Sequence, residues 1–145
     1  MRTLLALFLG CSLTQPTLVT KLAQLFHGEN RRNLTDQEAL AIGDTVLNRT
    51  QLHGYPDDPM DVLHQPNQYS PFQPSDPNYP VIQKFGPGHP QWERYYQLAL
   101  IAAAPTRPRS QFTHYFTGDP PAWARGMDLK RIGSHWFGAE KRARK

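Results

Sequence analysis

Leu22-Ala-Gln-Leu-Phe-His-Gly-Glu29-Asn-Arg-Arg32 is the stretch on which the reading of this chain turns. If residues 17–29 are helical, Leu18, Leu22, Leu25 and Glu29 fall at steps of four, three and four, so the carboxylate continues the stripe that faces the core. An acid therefore ends an apolar face. A carboxyl group partly withdrawn from water holds its proton more tightly, because desolvation disfavours the charged form. That is the property a general acid requires. The competing reading leaves Glu29 beyond a helix ended by Gly28, its carboxylate paired with Arg31 or Arg32.

On the C-terminal side of this stretch, Thr35-Asp36-Gln37-Glu38 reads as a capping box that opens a helix to about Arg49, with Ala39, Ile42, Val46 and Leu47 on one face. The connection from Asn30 to Leu34 is short, so the two helices pack as neighbours and Glu29 lies at the mouth of the loop between them. On the N-terminal side, residues 1–16 have a positive start and about ten apolar residues, followed by small and polar ones. The run is too short for a permanent membrane helix. It suits a secretory signal, and Cys11 faintly suggests a lipoprotein signal; the alternative is an extra amphipathic helix packing Leu4, Leu5 and Phe8 on the domain.

Further along, Pro59 opens a short helix over Met60–His64. Seven of the fourteen prolines lie between Pro66 and Pro90, too many for helix or central strand, so residues 65–90 are expected to form a long loop. Loops of this length are usually binding loops or lids. Tyr69, Phe72, Tyr79 and Phe85 either offer stacking faces to a ligand or plug the loop onto the core. A helix is expected over residues 90–104, a strand over Gln111–Phe116 and a second strand over Lys130–Phe137. Paired as an antiparallel hairpin, the two strands would bring His114 and His135 together.

At 145 residues the chain is long enough for one domain with its own core, here 17–138, between an apolar leader at 1–16 and a basic tail at 139–145. One cysteine excludes an internal disulfide framework and a cysteine-rich zinc site. The net charge of +4 favours a polyanion: nucleic acid, acidic lipid or an anionic cell-wall polymer. The six histidines form no His-x-x-x-His pair, so no metal site and no cofactor is expected. No Gly-x-Ser-x-Gly is present, and neither Ser70 nor Ser134 has an activating neighbour in sequence. One well-placed carboxyl fits glycosidic cleavage. Hydrolysis ordinarily takes two carboxyls; a lytic mechanism can use one, first as acid and then as base. Asp36, Asp44 and Asp61 are the candidates for a second, though their positions suggest caps and surface.

Four stretches in order, Phe26-His-Gly-Glu29, Ala41 to Arg49, Val62 to Pro66 running into Gln68-Tyr-Ser70, and Thr113-His-Tyr-Phe116 with Pro121-Ala-Trp123 and Ile132-Gly-Ser-His-Trp-Phe137, resemble the SleB-like cell wall hydrolases, a spore cortex-lytic family with phage members. The resemblance covers about Leu18 to Phe137. It implies a mostly helical, lysozyme-like or transglycosylase-like α+β domain with a small antiparallel hairpin near the C-terminus. It also implies peptidoglycan glycan strands as substrate, cut between N-acetylmuramic acid and N-acetylglucosamine by lytic transglycosylation. Residue by residue, it makes Glu29 the catalyst and Asn48 a structural residue closing its helix near the site. Tyr69, Ser70, Thr113, His114 and Tyr115 become substrate contacts, with Tyr115 the foremost hydrogen-bond donor to the glycan. Where the family often has Glu-Ala-Arg-Gly-Glu, this chain has Leu25-Phe-His-Gly-Glu29, so the partner that tunes the acid is in doubt. The expected setting is the bacterial envelope, exported or periplasmic, or a phage virion acting on a host wall. Virion or envelope proteins are possible partners, nucleic acid is not, and membrane contact is at most transient through the leader. The alternative is an inactive relative retained as a glycan-binding or structural component.

Overall fold

A computed structural model describes residues 15–29 and 33–145. Five helices come first: α1 (Gln15–Gly28), α2 (Asp36–Arg49), α3 (Pro59–Leu63), α4 (Tyr79–Gln83) and α5 (Trp92–Ala103). Three short strands follow, β1 (His114–Phe116), β2 (Leu129–Ile132) and β3 (His135–Gly138), and single 3-10 turns lie at Ser70–Phe72 and Ala122–Ala124. The described residues form a small α+β domain. The leader, Cys11 and any pairing of Glu29 with Arg31 or Arg32 lie outside them. No helix among the described residues is long and apolar enough to cross a membrane.

The core forms where α1 and α2 both lean on α5. Val19, Leu22, Ala23, Leu25 and Phe26 of α1 are buried against Tyr95, Leu98, Ala99 and Ala102 of α5, and α2 adds Ala39, Ile42 and Val46. Phe137 of β3 joins the same cluster, which ties the sheet to the helices. The predicted capping box is formed in both directions: the Glu38 amide donates to Thr35 Oγ1 (3.2 Å) and the Thr35 amide to Glu38 Oε1 (3.1 Å).

Two expectations are corrected. Residues 65–90 are not a free binding loop but a segment anchored to the core, folded in part as the 3-10 turn and α4. Prolines stand in the first turn of both elements, where a missing amide costs nothing. Tyr69, Phe72, Ile82 and Phe85 are all buried, and Gln24 of α1 donates to the Phe85 carbonyl at 3.2 Å, so the aromatics plug the segment down. The approach is close at Gly28, where a Cβ would come within 2.7 Å of Pro71 Cγ. A side chain there would push the 3-10 turn away from the end of α1.

The second correction concerns the hairpin. The stretch expected as one strand over 130–137 reverses at Gly133-Ser134, giving a three-stranded antiparallel sheet of order β1-β3-β2. Ile132 pairs with His135, leaving a two-residue turn whose first residue, Gly133, has φ +58°. Glycine adopts that conformation without penalty, and a Cβ at Gly133 would also overlap the Glu38 carboxylate. In the β1–β3 register, Tyr115 faces Phe137 while His114 faces Gly138. His114 and His135 therefore fall on opposite faces of the sheet rather than together.

Candidate active site

Glu29 sits one residue past α1, its amide still donating to the Leu25 carbonyl at 3.0 Å. The helix thus carries it, while its side chain, 19% exposed, reaches the solvent side. The two oxygens have different neighbours. Tyr115 donates its hydroxyl to Oε1 at 2.9 Å, and His135 Nε2 stands 3.9 Å from Oε2. The other ring nitrogen of His135, Nδ1, is 2.6 Å from Glu38 Oε2. Ser134 donates to that same oxygen through its amide (3.1 Å) and its hydroxyl (2.9 Å). Glu38 therefore caps α2 and clamps the β2–β3 turn with one carboxylate.

The electrostatics follow from this arrangement. Burial works against the charge on Glu38, but hydrogen bonds from His135, Thr35 and Ser134 outweigh it and hold the carboxyl down at about 2. Burial also works against a charged His135, yet Glu29 and Glu38 together raise its pKa above the ordinary 6.5. The Tyr115 phenol is raised well above 10.0 by burial and by Glu29, so it remains a donor. His114 is pushed down to about 4 by burial and then by Arg49, which leaves it neutral near pH 7.

Two open clefts, of about 650 and 670 Å³, meet at Glu29, Ser70, Thr117 and His135. The first runs past Tyr69, Tyr115, His114 and Trp123; the second runs past Gly118, Arg131 and Trp136. Glu29 is the only carboxylate side chain lining either one. The proposed second acids lie elsewhere. Asp44 is buried against Arg107 and accepts from Ser110, Asp36 pairs with Arg94, and Asp61 is exposed in the first turn of α3. Among the described residues no three of His, Cys, Asp and Glu gather as a metal site would require.

Of the residues expected to touch substrate, Ser70 is exposed where the clefts meet, and His114 lines the first. Tyr69 lies in the wall but is 1% exposed, its hydroxyl within 3.1 Å of Thr45 Oγ1. Thr113 is buried, accepting from the Glu140 amide at 2.8 Å. Tyr115 directs its hydroxyl to Glu29 rather than outward. Asn48 does not close its helix; its amide nitrogen donates to the Ser110 and Phe112 carbonyls and so pins the segment that leads into β1.

A family model for cell wall hydrolases matches residues 35–138. The chain belongs to the cell wall hydrolase family. Membership makes it a hydrolase of the cell wall, with peptidoglycan as the substrate that the family implies. No curated protein and no solved structure matches it. The matched span runs from the cap of α2 to the end of β3, so Glu38, Ser70, Tyr115 and His135 lie within it and Glu29 six residues before it.

In this cell wall hydrolase several site residues escape the sequence reading. His135 and Glu38 form the support behind Glu29, although Glu38 reads only as a cap in sequence. Arg49 is buried beneath the first cleft between the rings of Tyr55 and Tyr69, each 5.2 Å away, and donates to the Thr113 carbonyl and to Gln68. Trp123 is 46% exposed beside His114 and Phe116, an aromatic face open to a ligand. His27, which stands where the SleB-like pattern has a charged residue, turns from the site and stacks on Phe85 with ring centroids 4.0 Å apart. The imidazole beside Glu29 comes from β3 instead.

Proposed function

We propose that this hydrolase cleaves the bond between N-acetylmuramic acid and N-acetylglucosamine in peptidoglycan by lytic transglycosylation, with Glu29 as acid and then base. The observation that carries the reading is the count of carboxylates. All twelve Asp and Glu residues fall among the described residues, and Glu29 alone lines the clefts. Two-carboxylate hydrolysis needs a second acid at roughly 5–10 Å across the scissile bond. Glu38, the nearest behind His135, is 2% exposed and cannot reach a sugar.

In the lytic reaction Glu29 gives its proton to the glycosidic oxygen as the bond to C1 breaks. The C6 hydroxyl of the same muramic acid attacks C1 and its proton passes to Glu29. A 1,6-anhydro end remains and Glu29 is again protonated. The nucleophile belongs to the substrate, so its effective concentration far exceeds that of a bound water. Clefts on both sides of Glu29 suit a glycan strand lying across the acid, with Trp123 and Trp136 as stacking surfaces. The net charge of +4 suits an anionic wall polymer. The resemblance to SleB-like enzymes supports a lysozyme-like or transglycosylase-like fold for the domain. It also supports action at the bacterial envelope or from a phage virion, with virion or envelope proteins as partners.

Mass spectrometry of fragments released from purified peptidoglycan by the wild type and by Glu29→Gln tests the reading. Anhydro-ended muropeptides from the wild type, with none from the variant, are expected. Reducing ends would mean hydrolysis by water. No release by either would point to a glycan-binding role.

A further inference from the structure

Glu38 of α2, His135 of β3 and Glu29 at the end of α1 stand in a row, with the imidazole between the two carboxylates. Two helices that follow one another in sequence converge with a strand whose His135 lies 97 residues beyond Glu38 to make it. Because Glu38 is ionised and a carboxylate only accepts, the ring nitrogen 2.6 Å from it carries hydrogen. Nδ1–H is thereby fixed, and Nε2 is the atom left to gain or lose a proton. It faces Glu29 Oε2 at 3.9 Å, a gap closed by one rotation of the carboxylate or one bridging water. The ring is 4% exposed, too buried to be a sugar contact.

We propose that His135 is the proton store of Glu29: Nε2 holds the proton while Glu29 is a carboxylate and returns it to Oε2 for cleavage. This rests on Glu29 being the general acid. The proton count closes. With Glu38 ionised, the three side chains carry a net charge of −1 whether the proton is on Nε2 or on Oε2. Loading Glu29 breaks one N–H bond and forms one O–H bond with no change in that charge. Glu29 then protonates the leaving oxygen, receives the proton of the C6 hydroxyl, and can return it to Nε2.

The other groups facing the imidazole are consistent with this role. From β1, Tyr115 holds the opposite oxygen of Glu29, and among the described residues His135 is the group that faces Oε2. From the β2–β3 turn, Ser134 helps keep Glu38 charged, and Arg131 of β2 lines the same cleft. Burial alone would strip the proton from His135, but the two carboxylates outweigh it, so the proton is retained above the ordinary range of histidine. His135 acts through Glu29 and is a positioning residue. It removes the need for a charged neighbour at position 27.

Two measurements on the full chain test the store. The first is an NMR titration of the His135 ring nitrogens in the wild type, Glu29→Gln and Glu38→Gln. Titration above 6.5 at Nε2, with Nδ1 protonated throughout and the midpoint falling by about one pH unit in each variant, is expected. The second is the pH profile of muropeptide release by His135→Gln, whose fold is checked by circular dichroism. Its alkaline limb should move to lower pH, with about tenfold lost at pH 8 and little at pH 5. A ring that titrates at or below 6.5 and is unmoved by Glu29→Gln overturns the store, as does a His135→Gln profile parallel to the wild type. If Glu29→Gln is inactive while the ring is unmoved, the store fails and the acid stands. If Glu29→Gln remains active, both fail. Should His135→Gln not fold, the titrations of the other two proteins decide.

Discussion

Glu38→Gln removes a charge while leaving a side chain that still fits a capping box. In the folded protein the Glu38 carboxylate receives the Thr35 amide, the Ser134 amide and hydroxyl, and His135 Nδ1. A glutamine offers one acceptor oxygen and turns an NH₂ toward the remaining donors. The native pKa of about 2 against an ordinary 4.5 corresponds to about 3 kcal/mol of preferential stabilisation of the charged form, at about 1.4 kcal/mol per pH unit. The side chain is 2% exposed, so solvent screening removes little of it. The sign follows from the depressed value. The stabilisation is fully present above 4.5 and is lost as pH falls toward about 2. His135 acts in the other direction: its raised pKa favours folding below 6.5, and that contribution fades as pH rises through the folded value. The two describe one ion pair and are not summed. Urea unfolding followed by far-UV circular dichroism from pH 2 to 9 should show Glu38→Gln less stable by about 2–3 kcal/mol near pH 6, narrowing at both ends. A gap below about 1 kcal/mol at pH 6, or one that does not vary with pH, would refute the reasoning.

Other substitutions separate holding the acid from holding the glycan. Tyr115→Phe keeps the ring packed near Phe137 but removes the donor to Glu29 Oε1. Muropeptide release should fall about tenfold for about 1 kcal/mol of lost stability, and an unchanged rate would show that Oε1 needs no partner. Trp123→Ala removes a ring that is half open to solvent and otherwise packed on His114 and Phe116, so unfolding free energy should fall by about 1–2 kcal/mol. Binding of Glu29→Gln,Trp123→Ala to insoluble peptidoglycan, compared with Glu29→Gln alone in a co-sedimentation assay, should weaken about fivefold. Equal binding would remove Trp123 from the substrate groove.

Local signals made much of this protein legible. The Thr35–Glu38 capping box, Pro59 opening a helix, and the 3.6-residue stripe through Leu18, Leu22 and Leu25 are properties of short segments, and short segments reveal them. The same stripe puts Glu29 at the end of an apolar face and leaves two readings of it, between which the family resemblance chooses; the fold sets it where two clefts meet. The proline-rich segment was harder to read. Proline content forbids long helix but says nothing of whether Phe72 and Phe85 face a ligand or the core, because that depends on what α1 offers opposite them. Gly133-Ser134 is a turn signal set inside an aromatic run, and the reversal there flips which residues share a face.

What the sequence by itself determined is the α+β class, the helices other than α4, and the place of Glu29 at the end of α1. Tertiary structure decided everything about that acid's surroundings. Tyr115 lies 86 residues from Glu29, and His135 lies 97 residues from Glu38. No spacing rule connects such positions, since their proximity comes from the sheet docking on the helices through Phe137, Asn48, Arg49 and the Glu38 carboxylate. Glu38 reads as a helix cap because the capping box is local. Its second role depends on a turn that only the folded chain brings to it.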